Sequence, residues 1–174
     1  STGSMSKFSL LIIAQNGYQD VELDGTRKGL LEANFQVTLC SKETGECSGK
    51  LGGTEEATVA MRSVDVSAFD RFAFIGGPGA RVLKDDEEAL DLAKIIAGTG
   101  KVFGAICIAP TILAAAGVLN GKKATVWNND GEQGAFLESH GAQFVDEDVV
   151  IDGNMITANG PEAAEEFGRE LAKL

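Results

Sequence analysis

Cys107 stands in the run Ala105-Ile-Cys107-Ile-Ala109-Pro110, where an apolar stretch enters and a short apolar helix leaves. A sharp strand-to-helix turn crowds the positions two before and two after its apex. Both must be small, and Ala105 and Ala109 satisfy that. The pattern follows the logic of a nucleophile elbow, with Ala for Gly and Cys for Ser. Pro110 suits the first helical turn, where its missing N–H costs nothing. A sulfur facing the start of a helix is held more readily as thiolate. The Ile108 N–H is placed to steady an oxyanion. The same spacing also fits a buried, inert cysteine, because free Cys packs as a small hydrophobe.

A second cluster is Ile75-Gly76-Gly77-Pro78-Gly79. Glycines there let backbone approach a ligand closely, and successive N–H groups can form an anion-holding nest. A plain turn is the alternative. No G-K-[ST] follows, so the segment is not a P-loop. The chain has 3 cysteines and 1 histidine, with no C-x-x-C pair, which argues against a disulfide framework or a Zn site. No metal and no cofactor is expected. Cys40 reads as a packing residue, Cys47 as a loop residue, and His140 as an exposed side chain at a helix end.

These residues need elements to position them. Phe8 to Ala14 is a continuous apolar run, as in a parallel strand buried on both faces. Val21 to Ala33 reads as a helix weakened by Gly25 and Gly29, and Phe35 to Cys40 as a strand. Thr44 to Thr54 reads as turns with short hairpin strands. Further strands are expected at Arg71 to Ile75, Lys101 to Ile106, Lys123 to Trp127 and Met155 to Ala158, with a hairpin turn at Asp152-Gly153. Helices are expected at Asp85 to Ala97, Pro110 to Ala116, Gly131 to Ser139 and Pro161 to Leu174. Alternation of this kind implies a doubly wound α/β sheet with sites beyond the carboxyl ends of its strands.

Composition narrows the function. The formal net charge of −11 repels phosphate backbones and anionic lipid, so neither nucleic acid nor membrane is an expected partner. No apolar run reaches bilayer length and none reads as a secretory signal, so a cytoplasmic location is expected. Residues 1–6 read as a tag remnant with a disordered start, and 7–174 as one domain.

Taken together, the motifs resemble the DJ-1/PfpI superfamily. The carriers are Asp20-Val-Glu22-Leu, Phe74-Ile-Gly-Gly77, Gly104-Ala-Ile-Cys107-Ile-Ala-Pro110, Ala116-Gly-Val-Leu-Asn-Gly-Lys-Lys-Ala-Thr125 and Val150-Ile-Asp-Gly-Asn154. The resemblance implies a flavodoxin-like three-layer α/β/α sandwich, class I glutamine amidotransferase-like, with a mostly parallel sheet and usually a homodimer. It implies that Glu22 lies beside Cys107, a pairing that composition does not single out among 26 acidic residues. The pair is expected to hold a neutral Glu22 and an anionic Cys107, with Gly77 and Ile108 N–H groups as oxyanion donors. Gly76, Trp127 and Asn159 are expected around the pocket.

The chain departs from the family pattern where many members carry His after the nucleophile (here Ile108), His after the elbow helix (here Trp127) and Arg at the last strand end (here Asn159). Without a histidine base, a Cys-His peptidase mechanism is disfavoured. The resemblance instead implies glyoxalase or deglycase-like chemistry on a small-molecule electrophile, an α-oxoaldehyde or its adduct. The alternatives are a cysteine-based oxidative-stress sensor without turnover, or a scaffold with an inert cysteine.

Overall fold

The computed structural model describes residues 7–174; the expected tag remnant over residues 1–6 lies outside them. In chain order the strands and helices begin with β1 (Lys7–Ile12), β2 (Asn16–Tyr18), α1 (Asp20–Glu32), β3 (Phe35–Ser41), β4 (Gly45–Gly49), β5 (Thr54–Ala57) and β6 (Val59–Ala60). They continue with β7 (Arg71–Phe74), α2 (Glu87–Gly98), β8 (Val102–Ile106), α3 (Pro110–Ala115), β9 (Lys123–Ala124), α4 (Gln133–Ser139) and β10 (Gln143–Phe144). The chain closes with β11 (Val149–Asp152), β12 (Met155–Ala158) and α5 (Ala164–Lys173).

The main sheet has 7 strands in the order β11-β12-β8-β7-β1-β3-β6. Every pairing in it is parallel except the β11–β12 edge hairpin. Period-2 alternation splits β1 cleanly: Leu10 and Ile12 enter one apolar core, while Leu11 and Ile13 enter the other. The first core is covered by α2, α3 and α4 through Leu92, Ile96, Leu113 and Leu137. The second is covered by α1 and α5 through Leu23, Leu30, Phe167 and Leu171. The result is a flavodoxin-like three-layer sandwich. Strand order reverses between β1 and β7, the place where such sheets open a crevice at their carboxyl ends.

Three expectations are corrected. Lys123 to Trp127 is strand only over its first two residues, and pairs with β10 outside the main sheet. Beyond them the Thr125 N–H donates to Thr157 Oγ1 (2.9 Å) and the Trp127 N–H to the Cys107 carbonyl (2.8 Å), so the segment is fastened to β12 and the elbow instead of a ladder. Cys47 is no loop residue: it lies fully buried in β4, which pairs with β5 and β2 in a small side sheet. The edge hairpin turns one residue later than expected, on Gly153-Asn154, with Gly153 at φ +64°.

Gly25 and Gly29 also mean something other than helix weakness. A Cβ at Gly29 would lie 2.5 Å from the Arg169 nitrogen and the Gly168 carbonyl carbon, and one at Gly25 would lie 2.7 Å from the Ala164 Cβ. The two glycines let α5 lie directly on α1, and so fix the helix that carries Glu22. Gly29→Ala gains about 1 kcal/mol of helix propensity but forces the helices apart, so a net loss of about 1–3 kcal/mol is expected. Urea denaturation checks this; a variant as stable as the parent would mean that the close crossing is not needed.

Candidate active site

Cys107 follows β8 directly and adopts φ +66°, one of two non-glycine residues with positive φ among the described residues. That conformation costs a β-carbon-bearing residue about 1–2 kcal/mol and persists because both of its backbone groups are tied. The Cys107 N–H donates to the Ala158 carbonyl and its own carbonyl accepts from Trp127 N–H, each at 2.8 Å. The flanking Ala105 and Ala109 are fully buried, as the crowding argument requires.

Glu22 sits in the first turn of α1 and is fully buried. Gln19 caps that turn, its Oε1 accepting from Val21 N–H (2.6 Å) and Glu22 N–H (3.3 Å). The Gln19 N–H donates to the Gly76 carbonyl (2.9 Å), and the Gly76 N–H donates to Glu22 Oε1 (2.9 Å). The helix start and the end of β7 are thereby stitched together. A Cβ on Gly76 would lie 2.7 Å from both Cys107 Cβ and Glu22 Oε1, so this glycine is what lets acid and thiol approach. Gly77 takes φ +116° and ψ +164°, a region that essentially only glycine visits. It packs against the backbone of Gly17, Tyr18 and Gln19.

The Glu22 carboxyl and the Cys107 thiol interact across Gly76. Oε2 of Glu22 is buried and has no hydrogen-bond partner of regular geometry among the described residues, which leaves it for the thiol. Burial raises the Glu22 carboxyl from its ordinary 4.5 to about 7, against the Cys107 thiol, the Gly76 N–H and the Lys50 charge, which lower it. Burial also pushes the Cys107 thiol up, followed by the charge of Glu22, while the N–H groups of Ile108 and Gly77 pull it down. The expected lowering of the thiol by the helix start is therefore not found. The helix has only 6 residues, and burial, followed by the Glu22 charge, raises the thiol.

The thiol opens on a cleft of about 200 Å³ lined by Gln19, Lys50, Gly77, Arg81, Ile108 and Trp127, with Pro78 and Pro161 at its edges. The Arg81 guanidinium lies over the Trp127 ring, 5.3 Å from its centroid. Gly76 lies beneath Cys107 and does not line the cleft. Nor does Asn159, whose side-chain amide turns away to Asp148 Oδ1 (3.4 Å) and whose N–H donates to the Asp148 carbonyl. The Ile108 side chain is packed in the core, and Phe103 with it. His140 ends α4, its Nδ1 3.0 Å from the Phe136 carbonyl oxygen, and lines none of this cleft.

Sequence reasoning missed Gln19, Lys50, Arg81 and Pro161. Arg81 had a faint signal: it lies in the 3-10 segment Pro78–Asp85, whose buried Ala80 and Leu83 leave it facing outward. Among the described residues no helix is long and apolar enough to cross a membrane. No group of three or more His, Cys, Asp or Glu side chains there could hold a metal ion.

The sequence profile of the DJ-1/PfpI family matches residues 8–174. An uncharacterised protein of Methanocaldococcus jannaschii is 37% identical over 94% of this chain and 80% of its own length. A protein of Thermococcus kodakarensis named a deglycase is 32% identical over 95% of this chain and 98% of its own, and Pyrococcus relatives carry the same name. The solved structure of a ThiJ/PfpI domain protein from Brachyspira murdochii superposes with a TM-score of 0.91 at 28% identity, covering 98% of this chain and 96% of that one.

The raised Glu22 carboxyl gives stability a pH dependence. The unfolded chain holds that proton with ordinary affinity, so between pH 4.5 and about 7 the folded state binds more protons than the unfolded one. Stability contributed by the neutral acid is complete below pH 4.5 and is lost as pH rises through about 7, by up to about 3 kcal/mol. Glu22→Gln lacks this dependence. Unfolding free energies at pH 4.5 and 8 should show the variant gaining on the parent at the higher pH; parallel profiles would contradict the buried neutral acid.

Proposed function

The chain belongs to the DJ-1/PfpI family, and from that premise we propose that it converts small α-oxoaldehydes, or their early adducts with thiols and amines, to 2-hydroxy acids without a cofactor. One observation carries the reading. A single thiol adjoins a buried carboxyl, is influenced by the N–H groups of Gly77 and Ile108, and opens on a cleft sized for a small molecule. Relatives named deglycases support the same class of chemistry.

The raised thiol is consistent with turnover because Glu22 can accept its proton. The pair titrates as a unit, with one proton to share near neutral pH. As the sulfur bonds to the aldehyde carbon, the thiol proton passes to Glu22, and the new alkoxide falls toward the two N–H donors. Glu22 gives the thiol proton up to the adduct's oxygens, where it ends as the hydroxyl hydrogen on the former ketone oxygen. Ionised again, Glu22 takes the hydrogen of the former aldehyde carbon as a proton and returns it to the former ketone carbon, while the alkoxide closes to the thioester carbonyl. This internal exchange oxidises the aldehyde and reduces the ketone, leaving a thioester of the 2-hydroxy acid. Water cleaves the C–S bond, and the acid departs as the thiol is restored. The net change is addition of one water to the oxoaldehyde.

The oxidative-stress sensor expected as an alternative requires only an oxidisable sulfur. The cleft, with its aromatic wall and two cations, favours a bound substrate over sensing alone. Peptidase action is disfavoured because Ile108 stands beside Cys107 where a histidine base would be needed, and His140 does not line the cleft. A homodimer and a cytoplasmic setting belong to the same proposal.

With methylglyoxal as substrate, Cys107→Ser is expected to abolish lactate formation. Glu22→Gln is expected to lower kcat by about 100-fold or more while Cys107 remains open to alkylation. Turnover that survives in Cys107→Ser would overturn the mechanism. So would the absence of hydroxy acid across a panel of oxoaldehydes despite normal labelling of Cys107.

A further inference from the structure

Resting on that reading of the cleft, we infer that it selects electrophiles carrying a fixed negative charge, an α-oxoaldehyde with a carboxylate or phosphate at the end away from the reacting carbonyl. Arg81 and Lys50 would hold that charge.

The charge pattern is the first ground. The chain has 26 acidic residues against 15 basic ones, yet the only charged side chains lining this cleft are Lys50 and Arg81. Among the described residues neither Lys50 nor Arg81 makes an ion pair within 4 Å. Asp130, whose carboxyl is lowered chiefly by hydrogen bonds from Gln133 and the Glu132 N–H, also feels the Arg81 charge, but without that contact. With screening over about 8 Å at physiological salt, these local cations outweigh the distant negative field of the rest of the molecule.

Placement is the second ground. The Lys50 N–H donates to the Tyr18 carbonyl (2.8 Å), and the following turn is gripped by Asp20, whose carboxylate accepts from Leu51 N–H (3.1 Å) and Gly53 N–H (3.1 Å). Asp20 is thereby turned toward the turn that it holds. Arg81 is laid on the Trp127 ring, which orders a planar fork suited to two oxygens of one anion. The acid at the floor of the cleft, Glu22, is raised toward its neutral form by burial and so opposes an incoming anion less than a free carboxylate would.

Alkylation of Cys107 by iodoacetate and by iodoacetamide tests this without requiring turnover. In both reactions the sulfur bonds to the methylene carbon as iodide leaves and the thiol proton is given up. The reagents differ in charge and hardly in shape. Dividing the iodoacetate rate by the iodoacetamide rate removes any change in thiol acidity or in folding. Relative to the same ratio for N-acetylcysteine, the protein's ratio is expected to be raised about tenfold. It should fall toward the free-thiol value in Arg81→Gln and in Lys50→Gln, and in high salt. Protection against iodoacetate by acetate would point to a carboxylate, and stronger protection by inorganic phosphate to a phosphate. A ratio equal to that of the free thiol, or one that neither substitution moves, overturns the inference. A raised ratio with no oxoaldehyde turnover sinks the catalytic reading alone, whereas methylglyoxal turnover with a flat ratio sinks anion selection alone.

Discussion

At the carboxyl end of β7 the backbone of Gly76 runs between the first turn of α1 and the apex of the Cys107 elbow, with no room for a single side-chain carbon. Everything distinctive about the site follows from that close passage. Because the strand end is bare, its N–H can reach the Glu22 carboxyl while its carbonyl accepts from the helix cap at Gln19. Gly77 then turns through a conformation closed to other residues. The same turn brings its own N–H close enough to the sulfur to pull the thiol down. The costs, a strained cysteine and a buried acid, are local. The two apolar cores that clamp β1, β7 and β8 supply the rigidity that keeps them in place.

That geometry also decides the charge state. A thiol at an exposed helix start would rest as thiolate. Here the helix is one short turn and a half, the sulfur is largely desolvated, and its nearest titratable neighbour is an acid. Two groups that each resist ionisation, held side by side, favour a single negative charge shared between them. Such a pair does not need a standing thiolate. In the proposed reaction the proton would move to the carboxyl as the sulfur attacks, so total charge in the low-dielectric floor would stay constant along the step with little solvent reorganisation.

The parts of the fold written in local pattern were legible in the sequence. Continuous apolar runs marked the doubly buried strands, and small residues either side of Cys107 marked the elbow. Features that depend on what a distant segment brings were not. Gly25 and Gly29 look like poor helix residues until α5 is seen resting on them. Cys47 lies in a polar, glycine-rich stretch, and its burial arises only because β4 is covered in the side sheet. Glu22 was found through resemblance, since nothing in its own neighbourhood separates it from other acids on a helix. Lys50 and Arg81 come from two turns far apart in sequence, and their convergence on one cleft is purely a product of the sheet's topology.

The replacements at Ile108 and Trp127 then take on a common sense. An imidazole beside the sulfur would offer a second proton carrier and a cation of its own. With Ile108 there instead, Glu22 is the titratable side chain that acts on the thiol among the described residues. With Trp127 on the wall, the local positive charge is the guanidinium lying over its ring. The cleft is thus polarised: a buried acid lies beside the thiol, and the charged side chains that line the opening are Lys50 and Arg81. On the proposed chemistry that division would let one small site bind by charge and react by proton transfer, each through its own residues.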